Sequence, residues 1–118
     1  MTAKIENSMG SVYISNDVIS TIAGASAIEC YGLVGMASKS AADGIVRLLK
    51  KENLDKGVKI HIEDNSVIID LYIIVQFGTK ISVVANNIIE KVKYNVENQT
   101  GMTVKKVNIN IEGVRVQS

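Results

Sequence analysis

The stretch from residue 66 to residue 101, SVIIDLYIIVQFGTKISVVANNIIEKVKYNVENQTG, changes its hydrophobic period once, at Gly78. Before that glycine, Val67, Ile69, Leu71, Ile73 and Val75 alternate with Ile68, Asp70, Tyr72, Ile74 and Gln76. Alternation puts the two sets on opposite faces of a strand, and the β-branched residues suit a pleated backbone. A half-buried strand would be polar on one face. This one is largely apolar on both, which predicts a cover on each side. After Gly78, Ile81, Val84, Ala85, Ile88, Val92 and Val96 recur at helical spacing, and Asn86, Asn87, Glu90, Lys91, Lys93 and Glu97 fall mostly outside that stripe. Thr79 reads as the N-cap and Gly101 as the stop. The helix stripe should lie on the Val67–Val75 face, each large aliphatic side chain buried there contributing about 1.5–3 kcal/mol.

Weaker patterns flank this core. Residues 1–9 read as a flexible N-terminal tail, and residues 10–118 as a single domain. Ser11 to Ser15 alternate as a short strand with Val12 and Ile14 inward. A helix follows, capped by Ser15 or Asn16, with Val18, Ile22, Ala25 and Ile28 or Glu29 as its stripe and the small residues Ala23 to Ala27 inside it. Tyr31 to Lys39, with Gly32 and Gly35, is an irregular strand or a turn. Ala41 to Lys51 reads as a short helix with Ile45, Leu48 and Leu49 on its apolar side, and Glu52 to Gly57 as a flexible polar connection. Val58, Ile60 and Ile62 alternate with Lys59, His61 and Glu63, and Asp64-Asn65 forms a tight hairpin turn into the long strand. Val107, Ile109 and Ile111 mark a last strand, with Gly113 as a bulge or end and Val114 to Val116 as an extension. The strand–helix–strand crossover makes the last strand parallel to the central one. The expected fold class is α+β: a two-layer sandwich whose mixed β-sheet contains a hairpin, that crossover and a second, N-terminal helix.

Composition narrows the setting. Of 118 residues 47% are hydrophobic, yet there are only four Tyr, one Phe and no Trp, so the core is aliphatic. A net charge of +1 gives no global field for nucleic acid or anionic lipid. Cys30 is the single cysteine, which precludes an internal disulfide and fits a reducing cytoplasm. The opening MTAKIENSMG lacks the apolar core of an export signal. Asp70 interrupts the best apolar run before it reaches the roughly 18 residues of a membrane span. The expectation is a cytoplasmic chain with no integral membrane segment.

The residues carry no catalytic constellation, cofactor loop or metal cluster. His61, the single histidine, sits on the polar side of its strand, and a lone surface histidine outweighs a general base. Cys30 and His61 are too few for zinc, and as a nucleophile–base pair they are outweighed by a buried thiol. Asp70 inside an apolar strand reads as a satisfied polar residue or an interface ion pair rather than a catalytic acid. Gly32-Leu33-Val34-Gly35 has the GxxG form of a KH loop, but with apolar residues between the glycines; a KH-like nucleic-acid-binding module is the alternative reading. The surface singled out is the second face of the long strand, Ile68, Tyr72 and Ile74. Either the N-terminal helix covers it or it meets another copy or a partner.

The opening GSVYISNDVISTIAGASAIECYGLVGM resembles the alkaline shock (YloU-like) family of envelope stress response proteins, through Gly10, Val12, Ile14, Val18, Ile22, Ala23, Ala27, Glu29, Gly32, Gly35 and Met36. Ser26, Cys30 and Leu33 depart mildly from its pattern. The strand Val67 to Val75 with Phe77-Gly78, the helix residues Ile81, Val84-Ala85, Ile88, Val92, Val96-Glu97 and Thr100-Gly101, and the closing Val107-Asn108-Ile109, Ile111 and Gly113-Val114 continue the resemblance along essentially the whole chain. It implies a small non-enzymatic cytoplasmic protein of Gram-positive bacteria. As in some members of that family, it implies self-association into homo-oligomers and a peripheral place at the membrane through a membrane-anchored partner, or a fatty-acid-kinase-like partner. It implies no cofactor and no catalytic residue, and leaves Glu29, Gly32 and Gly35 with structural or interaction roles.

Overall fold

A computed structural model of the chain describes residues 2–39, 46–49 and 55–116. The long strand, β6 (Ser66–Gln76), organises the sheet. One of its edges pairs over its whole length with β7 (Thr103–Arg115), in parallel. The other edge is shared by two antiparallel strands: β5 (Val58–Glu63) takes Ser66 to Leu71, and β3 (Leu33–Lys39) takes Ile73 to Val75. A short β4 (Val46–Leu48) lies outside β3. The β5–β6 turn is the expected two-residue one, with Glu63 opposite Ser66 and Asp64 at φ 55°. The helix α2 (Ile81–Thr100) carries the chain from β6 to β7, so the crossover strands are adjacent as well as parallel.

Side-chain phase explains the core. Val67, Ile69, Leu71, Ile73 and Val75 are completely buried. Register puts Val58, Ile60 and Ile62 of β5 and Val104, Val107, Ile109 and Ile111 of β7 on the same face. Val104 and Val107 are three residues apart, as are Ile111 and Val114, and a regular strand would turn one of each pair away. Two register shifts in β7, one at Lys105 and one at Glu112, restore the phase. Val84, Ile88, Val92 and Val96 of α2 close over this face. Gly101 ends α2 in the left-handed region, φ 77°, its N–H donating to the Glu97 carbonyl.

The other helix, α1 (Asn16–Ile28), packs into the same cluster through Ile19, Ala23 and Ala27. This corrects the expected stripe: Val18 and Ala25 face solvent. Small residues let α1 approach α2 closely, and the Asn95 Nδ2 donates to Ser26 Oγ across that contact at 2.8 Å. Ser15 is the N-cap, by backbone conformation alone. Thr79 does not cap α2. Its hydroxyl donates to the Gln76 carbonyl within the turn, and Lys80 is the capping residue.

The N-terminus differs from a loose tail. Thr2–Asn7 is a strand, β1, antiparallel to β2 (Gly10–Ser15) in a separate two-stranded sheet. Pairing Ala3 with Ile14 and Ile5 with Val12 puts four apolar residues on one face, and Ala3 is wholly buried against the core. Val12, expected inward, is 53% exposed because it lies beyond the reach of the main core. The helix expected over Ala41 to Lys51 is replaced at Val46–Leu48 by strand β4, since Ala37, Ser38 and Lys39 offer it a ladder; the rest of that segment lies outside the described residues. Of the polar connection, Asp55 to Gly57 form a single 3₁₀ turn, with Gly57 against Met36.

Candidate interaction surface

Both helices join the cluster built on the Val67–Val75 face, so among the described residues no helix lies on the reverse face of the sheet. The prospect that α1 covers Ile68, Tyr72 and Ile74 therefore fails. Among the described residues the helices and the sheet form two layers, with no helix on the reverse of the sheet.

That surface is amphipathic. Ile68 and Tyr72 are half-buried, whereas Ile74 is only 4% exposed, packed beside Gly113. The Lys59 ammonium lies 5.4 Å from the centre of the Tyr72 ring. Asp70, in register between Lys59 and Asn108, accepts from Asn108 Nδ2 at 2.8 Å and faces His61 Nε2 at 3.3 Å. Asn110 Nδ2 donates to the Leu71 carbonyl at 3.2 Å. Asp70 is thus the satisfied polar residue that the sequence suggested, and the apolar reverse face is interleaved with polar pairs from both neighbouring strands. At one corner the Lys105 ammonium donates to Glu63 at 2.9 Å, and this contact and charge hold the Glu63 carboxyl below its ordinary pKa.

The other singled-out residues lie elsewhere. Glu29, exposed at the end of α1, pairs with Lys91 of α2 at 3.2 Å. Gly32 occupies the turn into β3 at φ +89°, where an added Cβ would sit 2.6 Å from a Val84 methyl. Gly35 is inside β3, beneath Leu48. The two glycines are buried, one in a turn and one in the sheet, so Gly32–Gly35 is not a presented loop and the KH reading is corrected. The structure brings Ile68, Tyr72 and Ile74 together, and separates them from Glu29, Gly32 and Gly35.

Cys30 and His61 are on opposite sides of the sheet. The Cys30 thiol packs against the helical core and points at the Ser26 carbonyl, 3.7 Å away, while His61 is on the reverse face. Burial raises the Cys30 pKa, an effect that Lys91 opposes and Glu29 reinforces. They cannot form a nucleophile–base pair. Among the described residues no group of three His, Cys, Asp or Glu is placed to hold a metal ion, and no helix is long and apolar enough to cross a membrane. A cleft of about 310 Å³ between α1 and α2, lined by Thr21, Ser26, Glu29, Asn95 and Gln99, is shallow and open.

Two relatives match the chain end to end. The YloU protein of Bacillus subtilis strain 168 is 48% identical over 117 residues, 98% of each chain. Spy1614 of Streptococcus pyogenes serotype M6 is 45% identical over 117 residues, 98% of this chain and 97% of its own. Among solved structures, a variant of MamM-CTD superposes with a TM-score of 0.50 at 10% identity, covering 88% of this chain and 100% of that one, which is a likeness of fold alone. Residues 4–116 match the family model for alkaline shock protein 23, described by a cell envelope-related function, and the chain belongs to that family.

Proposed function

We propose that this protein is a non-enzymatic component of the cytoplasmic response to envelope stress. It acts by self-association and by holding a membrane-anchored or kinase-like partner. The observation that carries the reading is the one-sided sheet: a five-stranded surface with half-buried Ile68 and Tyr72 and no helix over it among the described residues. Its mixture of apolar and hydrogen-bonded polar side chains suits a reversible contact better than an obligate one, whose core is more apolar.

Light scattering over a range of concentrations tests the proposal. The wild type is expected to grow in mass with concentration. Ile68→Asp, a change at a half-buried position that spares the core, is expected to move it toward the monomer with its unfolding transition little altered. A wild type that stays monomeric throughout rules out self-association. For the partner, co-purification from envelope-stressed cells should recover a membrane-anchored or kinase-like protein with the wild type and much less with Ile68→Asp; equal recovery would remove the sheet face from the contact.

A further inference from the structure

The strand β7 runs for 13 residues and pairs with β6 along one side; among the described residues no strand pairs with its outer edge. A free edge offers a row of N–H and C=O groups to another strand, and folds ordinarily blunt it with proline, charge or brevity. The chain has no proline, and no residue between Lys106 and Glu112 is charged. The two bulges of β7, at Lys105 and Glu112, lie toward its ends and leave residues 106–111 regular. The core also stops short of this edge. Ile109 and Ile111 are on the core face yet only half-buried, whereas their register partners on β6, Leu71 and Ile73, are completely buried.

The residues of that edge fit their own copy. Set antiparallel to itself about Ile109, the strand brings Lys106 opposite Glu112 at both ends, Val107 opposite Ile111 and Asn108 opposite Asn110. Apolar then meets apolar on the core face, amide meets amide on the reverse face, and opposite charges close each end. Centring on Asn108 would set Glu112 against Val104, and centring on Asn110 would set it against Asn108. A centre between two residues would mix the faces. Among the described residues neither Lys106 nor Glu112 has a hydrogen-bond or ion-pair partner, and Lys106 acts on Glu63 only from a distance. The strand at the opposite edge, β5, is only six residues long, and its Lys59 and Glu63 are already engaged with Tyr72 and Lys105.

We infer that β7 is the seam of a two-fold dimer, in which the β7 strands of two copies pair antiparallel about Ile109 and join their sheets into one. The two-fold axis stands perpendicular to the sheet, so both reverse faces lie on the same side and Ile68 and Tyr72 of two copies share one broad surface. The inference rests on the self-association reading only in that copies meet; the seam is distinct from the Ile68–Tyr72 face.

Sedimentation over a range of concentrations, together with a thiol cross-link at the two-fold axis, tests the seam. Lys106→Glu sets like charges against each other at both ends and should weaken the dimer about tenfold. Glu112→Lys should do the same, and the two exchanges combined should restore the wild-type affinity. Both positions lie outside the core, so circular dichroism and the unfolding midpoint should hold in all three variants. Across the axis the two copies of residue 109 would lie about 4.5–5.5 Å apart, Cα to Cα. That separation suits a disulfide, so Ile109→Cys in a Cys30→Ser background should give a linked dimer under mild oxidation. Ile68→Asp, which disturbs the sheet face alone, should leave that cross-link in place. Absence of any wild-type dimer would end both this inference and the self-association reading. Dimers that ignore Lys106→Glu, do not recover in the double exchange, fail to cross-link through residue 109, or lose that cross-link in Ile68→Asp would overturn the β7 seam alone.

Discussion

Gly32 and Gly35 are three residues apart and read alike in the sequence, but they answer to different constraints. At Gly32 the backbone is left-handed, and an added methyl would meet Val84 at 2.6 Å and Thr79 at 3.3 Å, both fixed between α2 and the turn. Backbone and packing penalties combine, so Gly32→Ala should lower stability by about 2–4 kcal/mol in urea unfolding. At Gly35 the obstacle is Leu48 Cδ1 at 2.7 Å, the mobile end of a side chain that is itself exposed. Gly35→Ala should cost under about 1 kcal/mol, because Leu48 can swing outward. Comparable losses in the two variants would mean that Leu48 is held as firmly as Val84. Glu63 supplies a second residue-scale prediction. Its folded pKa is lowered, first by the hydrogen bond from Lys105 and then by the charge of that lysine. The pair therefore adds stability above the unfolded glutamate range, near pH 4.3, and that contribution fades as pH falls through the lower folded value. In an NMR titration, Lys105→Gln should move the Glu63 midpoint upward; an unmoved midpoint would exclude the pair as the cause.

At the scale of the element, α2 shows why periodicity is informative for a long helix and poor for a short one. Val84, Ile88, Val92 and Val96 advance by four residues each, and all four are buried. Ile88→Ala should cost about 2–5 kcal/mol, since it leaves a cavity between α2 and β6. Val83→Ala, one residue before this stripe and about half exposed, should stay within about 0.5 kcal/mol. Equal losses would mean that the outer side of α2 is packed in solution. In α1 the expected stripe is out by one residue: Val18 faces solvent, while Ile19, Ala23 and Ala27 face the core, the isoleucine filling it and the alanines letting the helix come close. A stripe read from the bulkier residues alone misses the alanines that set the packed face. The last strand held a legible clue. The three-residue steps from Val104 to Val107 and from Ile111 to Val114 break strict alternation, and each break coincides with a register shift in β7.

For the molecule as a whole, the division of burial sets the order in which parts open. β6 is paired on both edges, and its core face is sealed by two helices. The β1–β2 hairpin has its own small sheet and mostly exposed residues, anchored at Ala3. A two-stranded ribbon has little independent stability. Amide hydrogen exchange should therefore be orders of magnitude faster in Ile5 and Val12 than in Ile69 and Leu71, with the hairpin opening while the sandwich stays closed. Equal protection would show that the hairpin opens only in global unfolding.

The sequence by itself determined the strand, the helix and the strand from Val67 to Ile111, the hairpin before them and the two-layer class, because the change of period at Gly78 separates strand from helix and the α2 stripe leaves that helix one face to bury. It also carried the family, through an ordered set of residues spread along the chain. Tertiary structure alone decided that both helices share one side of the sheet, that residues 2–7 pair rather than trail, and that Gly32 and Gly35 are internal. Those outcomes depend on contacts between segments far apart in the chain. A strand apolar on both faces is compatible with a helix, a second molecule or neighbouring polar side chains on its second side. Here Lys59, Asp70, Asn108 and Asn110 lie among Ile68, Tyr72 and Ile74, and only the register of β5 and β7 against β6 brings them there.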